Sequence, residues 1–302
     1  MSEQNLRLGL IGLDTSHVVA FAEILHDESQ PYHVPGGKIT AAYTSVSTDF
    51  EMSYSRAEGF TKQLQDSYSI PLLASPEAVA EACDAILLES VDGRVHYEQF
   101  QRIAGFGKPV FIDKPLAISS EEAKAIIELA ARHHVPVMSC SSLRYSQALL
   151  EAKADESNGA IIGMDGYGPM VIQPTQPGLF WYGIHVVEML YAGLGRGCRK
   201  VTAVSNEDGD CIVGEWFDGR MGTLRGNRMG NGQFGALLHR RQGTQFIDVS
   251  GHPKPYYSGL LEHILGMFRT GISPIEPEEM LEIVRFMEAS NESRATGKPV
   301  TL

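Results

Sequence analysis

Short apolar runs and amphipathic stretches alternate through the first half of the chain. Leu6 to Ile11 is an apolar run closed by Gly12, and beyond Asp14-Thr15-Ser16 the residues Val18, Val19, Phe21, Ala22 and Leu25 recur at helical spacing. This predicts strand, tight turn, helix. The alternation repeats, with strands at Ile39 to Tyr43, Ile70 to Leu73, Asp84 to Leu88 and Pro109 to Ile112, and helices from about Tyr54, from Pro76 and over Arg94 to Ala104. A helix introduced by Ser119-Ser120-Glu121-Glu122 runs to about His133, and Val135 to Cys140 supplies a sixth strand. Parallel strands need a crossover and the intervening helices supply it, so residues 1–143 are expected to form a Rossmann-like, doubly wound parallel sheet.

Past Arg144 the texture changes. A helix, the run Ile161 to Ile172 and a helix containing His185 precede β-like runs at Val201 to Asn206, Cys211 to Phe217, Met221 to Arg225, Ala236 to His239 and Gln245 to Val249. Turns such as Glu207-Asp208-Gly209-Asp210 and Asp218-Gly219-Arg220 separate two of these by hairpin distances, which favours an antiparallel sheet. Helices over Tyr256 to Thr270 and Pro277 to about Ala295 complete an expected α+β domain, residues 144–302, with an open sheet and helices on one face.

Composition narrows the function classes. With 302 residues, 43% of them hydrophobic, the chain can fill two cores, and its formal charge of −12 lacks the basic field that nucleic acid or an anionic membrane requires. A small molecule is the expected partner. No stretch approaches the roughly 20 apolar residues of a membrane span, and the start MSEQNLRLGLIG reads as a first strand, so a cytoplasmic location is expected. Cys83, Cys140, Cys198 and Cys211 lack CxxC spacing and read as buried free thiols; no zinc site, disulfide framework or internal repeat is indicated.

The turn after the first strand is where a dinucleotide pyrophosphate would sit, because a helix N-terminus offers unpaired N–H groups and a positive dipole end. Set against G-x-G-x-x-G, Gly12 stands, but Asp14 and His17 replace the second and third glycines. A carboxylate about 4 to 6 Å from a phosphate costs roughly 3 kcal/mol at an effective dielectric of 20. Asp14 therefore turns aside to cap the helix, or fills the anion hollow itself, or is offset by His17 with the Thr15 and Ser16 hydroxyls. The second strand ends in Tyr43-Thr44-Ser45, without the acid that grips a ribose, so NAD and NADP are not distinguished.

Lys114 closes the apolar strand Pro109 to Ile112, where side chains of parallel sheets reach the ligand crevice; an exposed lysine paired with Asp113 is the plain alternative. His185 and Glu188 share a helix face, so Glu188 orients the imidazole, or the two hold a metal, or the histidine simply packs.

The order and spacing of these pieces resembles the glucose–fructose oxidoreductase, inositol dehydrogenase and MocA (Gfo/Idh/MocA) family over nearly the whole chain. The likeness rests on Leu8 to Leu13, on Asp84-Ala85-Ile86-Leu87-Leu88 followed by His96, and on Gly107-Lys108-Pro109-Val110-Phe111-Ile112-Asp113-Lys114-Pro115. It continues through Leu143-Arg144-Tyr145, Asn158 to Gly163 and Gly183-Ile184-His185. The resemblance implies an NAD- or NADP-dependent oxidoreductase in which Lys114 binds the reacting oxygen and His185 relays its proton. The nucleotide would lie over Gly12, Leu13, Asp14, Thr15 and Ser16, with Thr44, Ser90 and Lys114. Trp181 and Tyr182 would form an aromatic floor for a sugar or polyol, with domain-interface packing as the alternative. Trp181 stands where the family usually has an aspartate, and Glu188 where it has a later one. His96 takes a nucleotide-side or structural role. A homodimer or homotetramer is expected through the open sheet. Two other readings keep the same residues: a lyase or isomerase without net redox, and a non-catalytic sensor of nucleotide or sugar.

Overall fold

In the computed structural model, which describes residues 5–302, the chain divides into two compact units. Of the described residues the first takes 5–117, 121–140 and 260–277, and the second takes 118–120, 141–259 and 278–302. The division differs in kind from a single boundary at 143, since a segment from the far end of the sequence returns to the first unit.

The first unit is built on β1 (Leu6–Ile11), whose consecutive buried residues show that both faces of the strand are covered. α1 (His17–His26) follows, burying Val18, Phe21, Ala22 and Leu25, the i, i+3, i+4, i+7 stripe read from the sequence. Then come β2 (Gly37–Tyr43), α2 (Glu51–Tyr54), α3 (Ala57–Tyr68), α4 (Pro76–Ala82), β3 (Ala85–Leu88), α5 (His96–Ile103), β4 (Val110–Ile112), α6 (Ser120–His133) and β5 (Val137–Met138). α4 starts as proline chemistry dictates, with Pro76 in its first turn and the Ser75 hydroxyl accepting the Ala78 N–H. The strands form one parallel sheet in the order β2-β1-β3-β4-β5.

Ile70 to Leu73 is not a strand. It lies beside β2 and makes a single parallel bridge, Ala42 with Leu72. Pro71 has no N–H to donate, so the ladder reduces to its own carbonyl accepting from Ala42 and to Leu73 donating back.

The second unit holds α7 (Gln147–Ala154), β6 (Ile161–Pro169), α8 (Gly183–Leu194), β7 (Cys198–Ser205), β8 (Gly209–Trp216), β9 (Met221–Asn227), β10 (Gly235–Arg240) and β11 (Gly243–Asp248). α9 (Tyr256–Thr270), α10 (Pro277–Thr296) and β12 (Val300–Thr301) close the chain. The sheet runs β11-β10-β6-β9-β8-β7-β12, antiparallel except where β6 lies parallel to β9. α8 packs on it, with Val186 and Leu190 over Gly166, and Trp216, Tyr191 and Phe286 form an aromatic core. Cys83, Cys140 and Cys198 are buried thiols as expected, whereas Cys211 is exposed because it points to the open side of β8.

The ligand crevice of an open parallel sheet lies where neighbouring crossovers diverge, here between β1 and β3. Gly12 sits there with φ +86°, and an added Cβ would lie 2.3 to 2.6 Å from Ser90 Oγ, N and Cα. Both the backbone angle and the crowding demand glycine. Gly12→Ala is therefore expected to cost about 2–4 kcal/mol, read as a lower denaturant midpoint; an unchanged midpoint would show that the two loops have room to separate.

Candidate functional site

Three adjacent strand ends gather the polar residues of the first unit. β3 and β4 pair Leu88 with Ile112, so the next residues, Glu89 and Asp113, emerge side by side. β1 pairs Ile11 with Leu88, which brings the Gly12 turn against Ser90. Glu89, Ser90, Asp113 and Lys114 are all buried, as are Leu13, Asp14 and Thr15, while Ser16 and Thr44 are exposed.

Asp14 neither caps α1 nor fills the hollow at its start. Its Oδ1 accepts the Val91 N–H at 2.9 Å and its Oδ2 accepts the Ser53 hydroxyl at 2.5 Å. Burial raises its pKa, and these two bonds pull against that rise. The N-cap residue Ser16 also makes no side-chain cap, and Thr15 Oγ1 accepts the His17 N–H only at 3.5 Å.

His17, in the place of the third glycine, turns its Nδ1 to the acids, 3.2 Å from Asp113 Oδ2 and 3.6 Å from Glu89 Oε2. Burial would lower the imidazole, but Asp113 and then Glu89 outweigh it and lift it to about 9. Burial pushes Glu89 up to about 7 despite His17. Asp113 would also rise on burial, but His17 and Lys114 hold it well below the usual carboxylate range. The plain alternative for Lys114, an exposed partner of Asp113, does not hold: the lysine is buried, and Asp113 Oδ1 accepts its backbone N–H at 2.8 Å. The ring nitrogens of His96 lie 2.9 Å from the Pro115 carbonyl and 2.8 Å from that of Ser90, linking the segments that follow β4 and β3.

The second unit holds the other predicted residues. His185 lies in the first turn of α8 with Nδ1 2.7 Å from Ser141 Oγ. Tyr182 meets it edge-on at 5.4 Å and stacks on Phe234 at 6.4 Å, while Trp181 lies 6.3 Å from Tyr182. Glu188 does not orient His185. It faces Arg144 Nε at 3.3 Å, and the same guanidinium also reaches Glu279. Burial lifts Glu188 to about 7 against the pull of Arg144.

Glu89, Ser141 and Arg144 thus enter the candidate site without having been singled out for it. Glu89 had a signal, an acid directly after an apolar strand, in the same position as Asp113 after the next one. Ser141 had none, since hydroxyl-to-imidazole contact depends on tertiary placement.

Residues 19–140 match the profile described as an oxidoreductase family with an NAD-binding Rossmann fold. YceM of Salmonella typhimurium, an oxidoreductase by name, is 24% identical over 249 residues, covering 80% of this chain and 71% of that protein. GenD2 of gentamicin A biosynthesis, crystallised with NAD, superposes with a TM-score of 0.81 at 16% identity, covering 100% of this chain and 97% of that one. The apo scyllo-inositol dehydrogenase of Lactobacillus casei gives 0.80 at 15% identity, with 100% and 99% covered. At these identities the two structures establish the shared fold.

The ionisation of Glu188 offers a stability test. Its folded value of about 7 stands above the ordinary 4.5, so the native state keeps a proton that the unfolded chain releases. Stability present below pH 4.5 is therefore lost as pH rises toward 7, by up to about 3 kcal/mol. The unfolding free energy of the wild type minus that of Glu188→Gln should fall between pH 5 and 8, and a flat difference would mean that Glu188 stays ionised throughout.

Proposed function

We propose that this protein, whose residues 19–140 match the Gfo/Idh/MocA oxidoreductase profile, is an NAD- or NADP-dependent dehydrogenase acting on a sugar, polyol or related hydroxyl compound. Lys114 and His185 are its reacting residues. The observation that carries the reading is the burial of Lys114 at the end of β4, in the row of strand ends that includes the Gly12 turn. A lysine so placed is shielded from water and positioned to hold an oxygen.

The first unit fits the dinucleotide. α1 opens from a glycine turn, its first-turn amides are capped by neither Asp14 nor Ser16, and Asp14 directs its charge to Ser53 and Val91. When bound, a nicotinamide supplies the hydride acceptor or donor. The protein's own residues do the rest. Lys114 binds the substrate oxygen and stabilises the charge that develops on it. Ser141 fixes the His185 ring through Nδ1, so that Nε2 is the atom that exchanges the hydroxyl proton. Tyr182 and Phe234, stacked, offer the apolar face of a ring, beside Trp181. The exposed Val204, Met221 and Phe246 of the second sheet support self-association as a homodimer or homotetramer. Among the described residues no helix is long and apolar enough to cross a membrane, which is compatible with a cytoplasmic enzyme.

Thermal unfolding with NAD+, NADH, NADP+ and NADPH at millimolar concentration tests the cofactor. A ligand at 100 times its Kd stabilises by about 2.7 kcal/mol, so at least one nucleotide should raise Tm by several degrees; four flat curves would overturn the reading. In a panel of polyols and sugars, Lys114→Ala is expected to lower kcat/KM by about 10²–10⁴-fold with Tm within a few degrees of wild type. Turnover near the wild-type rate would remove Lys114 from its role.

A further inference from the structure

His17, Glu89 and Asp113 come from three segments distant in sequence, yet one donor atom from each lies within 4.8 Å of the others. We propose that they form a binding site for one divalent transition-metal ion of the zinc class, held by the imidazole Nδ1 and one oxygen from each carboxylate. The inference goes beyond the dehydrogenase reading and stands independently of it.

Geometry comes first. Bonds of about 2.0–2.2 Å at tetrahedral angles separate ligand atoms by about 3.3–3.6 Å. The two separations from His17 Nδ1 are 3.2 Å to Asp113 Oδ2 and 3.6 Å to Glu89 Oε2.

The second observation is what the carboxylates lack. Glu89 is fully buried and neither of its oxygens accepts a hydrogen bond; Asp113 Oδ2, almost as deeply buried, accepts none either. A buried carboxylate oxygen without a donor is strongly disfavoured, and here both oxygens of Glu89 and one of Asp113 lie together. The charge of Lys114 favours their ionised forms without hydrogen-bonding these oxygens. Protonated His17 serves them poorly, because a single Nδ1–H faces both and one N–H can align with only one acceptor. A metal ion at the centre satisfies nitrogen and both oxygens at once.

The donor set selects the ion. One imidazole nitrogen with two carboxylate oxygens suits Zn2+ or its first-row neighbours better than Ca2+ or Mg2+, which prefer oxygen alone. Three protein ligands leave a further position for water or an anionic oxygen.

Tag-free protein, stripped with chelator and without nucleotide, is titrated with ZnCl2 by calorimetry, and retained zinc is counted after gel filtration. One ion per chain is expected, with affinity weakened about 100-fold or more in Glu89→Gln and Asp113→Asn. Co2+ should give intense tetrahedral visible bands that disappear in His17→Ala. Retention below about a tenth of an ion per chain, or equal zinc binding by wild type and all three variants, would overturn the proposal. If either buried-acid variant fails to fold by circular dichroism, His17→Ala, at the partly exposed edge of the cluster, decides the matter through both calorimetry and the cobalt spectrum. The nucleotide-dependent Tm shift is scored separately, so that loss of the metal site leaves the cofactor reading intact.

Discussion

A buried carboxylate must find donors, and in the first unit Asp14 finds them away from the helix that follows it. The Val91 N–H and the Ser53 hydroxyl hold its two oxygens, one from the loop after β3 and one from α2. These bonds keep a negative charge directed away from the first turn of α1 and at the same time join the β1 turn to two other segments. Leaving either oxygen unmet would cost about 1–3 kcal/mol. Ser53 donates to Asp14 and accepts the Ser47 N–H at 2.8 Å, so the loop after β2 depends on the same hydroxyl. The turn that departs most from a glycine-rich phosphate loop is thus held by more side-chain bonds than glycine would permit.

Much of the fold was legible because the periodicities were strong. The α1 stripe, the Pro109 to Ile112 strand and the two closing helices stand where the pattern of apolar residues puts them. Ile70 to Leu73 failed on one atom: an apolar run with β-like texture cannot form a ladder at a residue that has no N–H. The paired position of Glu89 and Asp113 was hidden for a different reason, since parallel register between strands that a whole helix separates leaves no mark in local sequence. The partner of Glu188 was obscured likewise. Helical spacing put His185 within reach, but a guanidinium from Arg144 offers a buried carboxylate charge compensation that an imidazole one turn away does not.

The two polar clusters differ in how they balance charge. In the second unit Arg144 stands between Glu188 and Glu279, one cation with several donors shared by two acids. In the first, a single imidazole nitrogen stands between Glu89 and Asp113. Buried atoms without a hydrogen-bond partner occur in both, Arg144 Nε and Glu188 Oε2 in the second and the Glu89 oxygens with Asp113 Oδ2 in the first, but the guanidinium sets a permanent charge and further donors beside its two acids where the first has one ring nitrogen between them.

The return of residues 260–277 to the first unit bears on how this chain can be handled. No single cut yields either half whole: a fragment ending near residue 143 would expose the surface that Leu260, Leu261, Ile264 and Leu265 help to bury, while the remainder would carry an apolar helix with nothing to cover it. Dissection of the protein therefore requires a graft of that segment, and during synthesis the nucleotide half is completed only after most of the other half has left the ribosome.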